Sequence, residues 1–180
     1  FFFATMLSVP CEDCAMRLNL REIIHVPGAG VSFDFPLDLT EEEFYGEHPI
    51  TKPVHVKGTV KNIADVLVLE GQATSVLDYT CDRCMGGFSR EKVVRLSYLL
   101  AEELEGEEDG DIVLLDDGEI DVGDLAYTAF ILDMDTKHLC SEDCKGLCSG
   151  CGANLNVEPC RCKKQADPRW AALEQLLNKN

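Results

Sequence analysis

VLVLEGQATSVLDYTCDRCMGGFSREKVVRLSYLL, residues 66–100, holds two strand patterns separated by a turn with two cysteines. Val66 to Leu77 is rich in β-branched and aliphatic residues, with Gly71 reading as a bulge. Phe88 to Leu100 has the same character, built from Val, Leu and Tyr. Between them, Tyr79-Thr80-Cys81-Asp82-Arg83-Cys84-Met85-Gly86-Gly87 reads as a hairpin tip whose glycines let the chain reverse. A connection this short favours antiparallel pairing, because parallel strands need a crossover of a dozen residues or more. The stretch therefore decides for a meander sheet with a Cys-x-x-Cys hook at one end.

The flanking sequence extends that sheet. From Val31 to Leu39 apolar residues stand at 31, 33, 35, 37 and 39, the period of a half-buried strand, and Pro36 places it at an edge. Val54, Val56 and Val60 mark another strand, ending at the turn-like Lys61-Asn62. Residues 102–118 read as an acidic, glycine-punctuated loop around a brief Ile112-Val113-Leu114-Leu115 strand. Val122, Leu125, Ala126, Ala129 and Leu132 then predict the apolar face of a helix, with Asp121 as N-cap and Asp124 in its first turn. Asp167-Pro168-Arg169-Trp170 opens a last helix with a stripe of Trp170, Leu173, Leu176 and Leu177. The expected fold class is α+β: an antiparallel β-sheet or partial barrel core with one packed helix, then a cysteine-rich zinc-knuckle segment and a terminal helix. The core domain is expected over 16–135 and the cysteine-rich segment with its helix over 136–180. Residues 1–15 read as an extension upstream of Met16, which makes Cys11 and Cys14 incidental; a third Cys-x-x-Cys hook is the competing reading.

Composition narrows the function. Hydrophobic residues make up 46% of the 180, enough for a core and against wholesale disorder. No apolar run approaches the ~20 residues needed to span a bilayer. The net charge is −17, from 33 acids and 16 bases, which argues against non-specific nucleic-acid binding by the whole surface. Such a surface suits a basic protein partner, or a small RNA contact on a locally basic patch.

The cysteines admit three chemistries. Disulfides suit small secreted domains, and this chain has core material and no basic signal-peptide start. A thioredoxin-like redox pair sits where a strand meets a helix N-terminus, whereas Cys81 and Cys84 lie on a hairpin. Metal binding explains more of the pattern, because structural zinc takes four thiolate or imidazole ligands and a Cys-x-x-Cys turn supplies two of them. From Cys81 onward there are eight cysteines, enough for two sites. The favoured partition is Cys81, Cys84, Cys140 and Cys144 at one zinc ion, and Cys148, Cys151, Cys160 and Cys162 at the other. A single site with Cys144 joining the Cys148/Cys151 knuckle stays open, as do an idle member of the Cys160/Cys162 pair, His138 as a replacement ligand, and iron–sulfur ligation. Sites filled by four sulfurs leave no position for water or substrate and are structural. His25, His48 and His55 form no catalytic spacing with Ser or Asp, and no phosphate-binding glycine motif is present. The basic tips that could touch RNA are Arg83, Arg90, Lys92 and Arg95 near the first hook, and Lys145, Arg161, Lys163 and Lys164 around the second cluster.

Taken together, Cys81-Asp82-Arg83-Cys84, the segment LCSEDCKGLC ending at Cys148, the segment CGANLN from Cys151 to Asn156, and Asp167-Pro168-Arg169-Trp170 resemble the bacterial YceD family of large ribosomal RNA subunit accumulation proteins. The likeness runs from about Met16 to the end. Ser149 stands where the family often shows Pro inside the knuckle. The resemblance implies a cytoplasmic, non-enzymatic factor supporting accumulation or processing of 23S ribosomal RNA and large-subunit assembly. It also implies a link with protein thirty-two of the large subunit, a small basic protein, and supplies no catalytic residues. The alternative from the cysteines is a zinc-based thiol redox switch or chaperone. A zinc-dependent transcription accessory factor would need a basic recognition helix that the sequence lacks.

Overall fold

The computed structural model describes residues 16–103 and 112–162. The expected terminal helix, Cys11, Cys14, Lys163 and Lys164 lie outside them. The chain divides into two compact units, one holding residues up to 79 with 88–136, the other holding 80–87 and residues from 137 onward.

In the first unit, β1 (Arg17–Asn19) leads into the one-turn helix α1 (Arg21–Ile24). The sheet follows: β2 (Gly30–Leu37), β3 (Val54–Ile63), β4 (Val66–Thr80), β5 (Gly87–Ala101) and β6 (Ile112–Leu114). A short β7 (Glu119–Asp121) pairs antiparallel with β1, and α2 (Val122–Leu132) starts directly after it. The strand order is β2-β3-β4-β5-β6, so the sheet is open and does not close into a barrel. Pro36 sits on the edge strand β2, where its missing N–H costs no ladder bond. β2–β3 and β3–β4 are antiparallel, and the six-residue link between β4 and β5 makes them a hairpin. β6 departs from the meander by pairing parallel to β5, Leu100 opposite Val113.

Two expectations about turns and bulges are corrected. Lys61-Asn62 is no turn, because β3 runs on to Ile63 and the reversal falls on Ala64-Asp65, both at positive φ (52° and 67°). That is the backbone of a two-residue primed turn, whose twist matches the strands it joins. Asn62 is instead 1% exposed: its side-chain amide donates to the carbonyls of Ile23 and Ile24, and its Oδ1 accepts from the Asp65 N–H. Gly71 makes no bulge either, since the β3–β4 register is unbroken from His55 opposite Thr74 to Ile63 opposite Val66. It lies opposite Gly58, and the Phe33 ring covers both glycines. A Cβ on Gly58 would stand 2.4 Å from the Glu70 carbonyl oxygen and 2.5 Å from Phe33 Cζ. Gly58→Ala is therefore expected to cost about 1–3 kcal/mol through overpacking, read as a lower melting temperature; an unchanged melt would reject the close approach.

The core joins Val54, Val56, Val60, Leu69, Leu77 and Leu96 of the sheet to Val122, Ala126 and Phe130 of α2. Asp121 caps α2 as expected, its Oδ1 accepting from the Asp124 N–H at 3.1 Å. The buried stripe is rotated from the predicted one, for Phe130 is fully buried while Leu132 is 81% exposed. Among the described residues, no helix is long and apolar enough to cross a membrane.

Candidate metal centre

The second unit has almost no apolar core. Its buried nonpolar residues, among those described, are Cys81, Cys84, Cys144 and Ala153. Of the large aliphatic side chains described, Leu147 is 40% and Val157 84% exposed, and Leu139 and Leu155 are only half-buried. What organises the segment is sulfur.

Two hooks share one backbone design. In the first, the Met85 N–H donates to the Cys81 carbonyl at 2.8 Å and the Cys81 N–H to the Gly86 carbonyl at 3.0 Å. In the second, the Gly152 N–H donates to the Cys148 carbonyl and the Cys148 N–H to the Ala153 carbonyl, both at 2.9 Å. The residue after the second cysteine takes positive φ in each, Met85 at 56° and Gly152 at 71°. This folds the chain around the sulfurs, and glycine does it at no Cβ cost.

Each hook meets two further cysteines. Cys81, Cys84, Cys140 and Cys144 form one group and Cys148, Cys151, Cys160 and Cys162 the other, the four sulfurs of each lying within 4.8 Å of one another. All eight are free thiols. Each group could hold a metal ion. The spacing fits: sulfurs about 2.3 Å from a tetrahedral zinc ion stand about 3.8 Å from one another. Here Cys81 and Cys144 are 3.8 Å apart, Cys84 and Cys140 3.7 Å, and Cys148 and Cys162 3.8 Å, while Cys148–Cys160 is tighter at 3.2 Å. Burial separates the groups. Three sulfurs of the first are on buried residues, whereas Cys151, Cys160 and Cys162 of the second are exposed. His138 joins neither group; its backbone pairs with Asp82, the His138 N–H donating to the carboxylate and the Asp82 N–H to the His138 carbonyl.

A family model described as large ribosomal RNA subunit accumulation protein YceD matches residues 69–177, more than half of the chain, including both hooks and all eight cysteines. The chain belongs to the YceD family. An uncharacterized protein of Mycobacterium leprae is 30% identical over 132 residues, which cover 69% of this chain and 59% of that protein. A Mycobacterium tuberculosis protein is 30% identical over 125 residues, 66% of this chain and 59% of its own. The large ribosomal RNA subunit accumulation protein YCED homolog 1, chloroplastic, of Arabidopsis thaliana is 29% identical over 161 residues, 72% of this chain and 50% of that protein. The chain thus spans between half and three-fifths of the length of these relatives. No solved structure matches.

In this YceD-family chain the thiols are electrostatically unequal. The Cys140 N–H on its sulfur brings Cys81 down to about 6. N–H groups of Cys151 and Gly150 bring Cys148 down to about 6. The Asn156 amide lowers Cys144, and the Ala153 N–H lowers Cys151. Neighbouring sulfurs work the other way, Cys144 pushing Cys140 up to about 12 and Cys151 pushing Cys162 up to about 12. Each group thus sets thiols whose ionisation is eased by N–H groups beside thiols whose ionisation is opposed by neighbouring sulfurs. Such a donor set suits a metal cation.

Sequence reading missed Asn156, whose Nδ2 donates to Cys144 Sγ at 3.2 Å. The only signal was a pair of asparagines two residues apart just past the second hook. Arg83 is equally inward-looking, its guanidinium donating to the carbonyls of Cys144 (3.0 Å) and Glu142 (3.3 Å). Other basic candidates are engaged as well. Lys92 pairs with Asp133 (2.8 Å) and Asp135 (3.5 Å), Arg161 pairs with Glu158, and Arg90 lies over the Phe88 ring. Arg95 and Lys145 are exposed.

Proposed function

We propose that this chain is a non-enzymatic, cytoplasmic factor of large-subunit biogenesis that supports accumulation and processing of 23S ribosomal RNA. The observation that carries the reading is that the segment matching the family, residues 69–177, holds two four-sulfur groups, in which a bound ion would have all four positions taken by sulfur and none left for a substrate. Zinc at each group would be structural. Cys81, Cys84, Cys140 and Cys144 would hold one ion and Cys148, Cys151, Cys160 and Cys162 the other, each ion supplying the cross-link that an apolar core supplies elsewhere. The 16–135 region then serves as the body of the factor, apart from the Cys81/Cys84 hook that it lends to the metal-bound appendage of 136–180.

Charge favours a basic ribosomal protein, such as protein thirty-two of the large subunit, over RNA as the direct contact. The described residues of the first unit carry eight Lys and Arg against twenty Asp and Glu. Those of the second carry four of each, and two tetrathiolate zinc ions would bring it to about −4. Several of the cations are already paired within the protein. The chain is expected to purify with two zinc ions, to co-sediment with large-subunit precursors, to keep a basic ribosomal protein in affinity capture after ribonuclease treatment, and to be needed for normal 23S levels. Unaltered 23S RNA after clean deletion would overturn the biogenesis reading, and capture abolished by ribonuclease would shift the contact to RNA. The exposed Cys151, Cys160 and Cys162 favour a second reading as a thiol switch or chaperone. It fails if peroxide neither releases zinc nor unmasks holdase activity.

A further inference from the structure

The two cysteine groups are separated in sequence by only Lys145-Gly146-Leu147, between Cys144 and Cys148. That strap is held from both sides. Toward the first hook, the Leu147 N–H donates to the Arg83 carbonyl at 3.0 Å. Gly146, at φ 73°, passes so close that a Cβ would stand 3.0 Å from the same carbonyl oxygen. Toward the second group, the Leu155 N–H donates to the Gly146 carbonyl at 2.9 Å and the Lys145 N–H to Asn156 Oδ1 at 2.8 Å. Asn156 then reaches on to the Cys144 sulfur. Its rotamer is fixed by Asn154, whose Oδ1 accepts from both the N–H and the Nδ2 of Asn156 at 3.0 Å. The arm carrying these asparagines starts at Ala153, whose carbonyl accepts from the Cys148 N–H inside the second hook.

We propose that the two metal sites are thermodynamically coupled, and that Asn156 is the positioning residue that couples them. The inference rests on the reading of both groups as metal sites. A metal at the second group fixes Cys148 and Cys151, hence the turn from which residues 153–156 depart. The arm then holds the Asn156 amide on Cys144, where an N–H takes up part of the charge of a ligating thiolate. Outer hydrogen bonds of this kind orient and tune metal ligands. Because the coupling is a free energy, it is reciprocal: filling the first group must favour the second by the same factor. The burial difference sets the order, with the buried Cys81/Cys84/Cys140/Cys144 group filling first and the exposed group completing it.

The test is a metal titration of the full chain at fixed pH against a competing chelator. Zinc stoichiometry is followed by native mass spectrometry and cobalt by its thiolate charge-transfer absorption. With the second group destroyed by Cys160→Ser and Cys162→Ser, the affinity of the first is expected to fall about tenfold to a hundredfold. Asn156→Ala alone should give a loss of similar size and move the charge-transfer band of the first group to longer wavelength, since its sulfur loses a hydrogen bond. The band shift separates positioning from general loosening. Combining the substitutions should add no more than about twofold to either alone, the signature of a shared pathway in a double-mutant cycle. A first group that keeps its affinity when the second is destroyed, or an Asn156→Ala loss that adds in full to the Cys160→Ser/Cys162→Ser loss, would overturn the coupling. A wild-type chain that binds no tetrathiolate metal would overturn the metal reading beneath it.

Discussion

Cys81→Ser is expected to unfold the cysteine unit while leaving the sheet intact. Cys81 is fully buried, its sulfur accepts the Cys140 N–H at 3.4 Å, and it faces Cys144 at 3.8 Å. A serine hydroxyl keeps the volume and some hydrogen bonding but does not offer a thiolate to a soft-ligand site. Elsewhere a lost contact would be absorbed by a surrounding apolar core. Here the buried nonpolar groups of the unit are three cysteines and one alanine among the described residues, so little apolar burial is left to hold it closed. Structural zinc sites supply on the order of 10 kcal/mol of folding free energy, more than the whole stability of many domains. Hydrogen exchange read by mass spectrometry should show backbone protection lost across 137–162 and retained across 54–63 and 66–79. Chelation of the wild-type chain should reproduce the same map. Cys151→Ser, at the exposed group, is expected to loosen a smaller region around the second hook. Retained protection at 137–162 in both Cys81→Ser and the chelated protein would mean that sulfur and metal do not hold this unit.

The legible parts of the fold were those written in local pattern. Alternation marked β2 through Phe33 and Leu37, and the Asp121 cap marked the start of α2, because each signal lies within a few residues of what it specifies. What was hidden depends on partners distant in sequence. Gly71 looks like a bulge until Gly58 stands opposite it with Phe33 above both. Lys61-Asn62 looks like a turn because asparagine favours turns, yet Asn62 serves carbonyls of α1 nearly forty residues earlier. Asp117-Gly118 did carry a local hairpin signal, and the mutual Asp116–Glu119 backbone bonds with φ of 50° and 72° show that turn formed. It was obscured by the surrounding run of acids, which read as one long loop. At the candidate site the eight cysteines announced themselves, since little else explains such density in a chain with core material of its own. The Asn156 bond was not visible, because two asparagines past a knuckle look the same whether they face water or a sulfur.

Phe130→Ala should be the most damaging single change in the first unit, and it also tests which face α2 buries. Phe130 is fully buried and, with Val122 and Ala126, brings α2 into the cluster formed by Leu69, Leu77 and Leu96. Truncating a buried Phe to Ala costs about 3–5 kcal/mol, from the lost transfer energy and the cavity left behind. For a chain of this size that corresponds to a melting temperature lower by on the order of 10 °C. The periodicity of the sequence alone puts Leu132 on the apolar face and leaves Phe130 off it. The structure reverses that assignment, with Leu132, the last residue of α2, 81% exposed. Leu132→Ala should therefore move stability by no more than about 0.5 kcal/mol. The two substitutions sit two residues apart, about 200° around a helix, so one rotation of α2 cannot bury both. A large loss at Leu132 with little at Phe130 would restore the sequence-derived stripe and reject the observed packing. The expected opposite result leaves the metal content of the chain unchanged in native mass spectra, because the two cysteine groups that could hold a metal ion draw no ligand from α2.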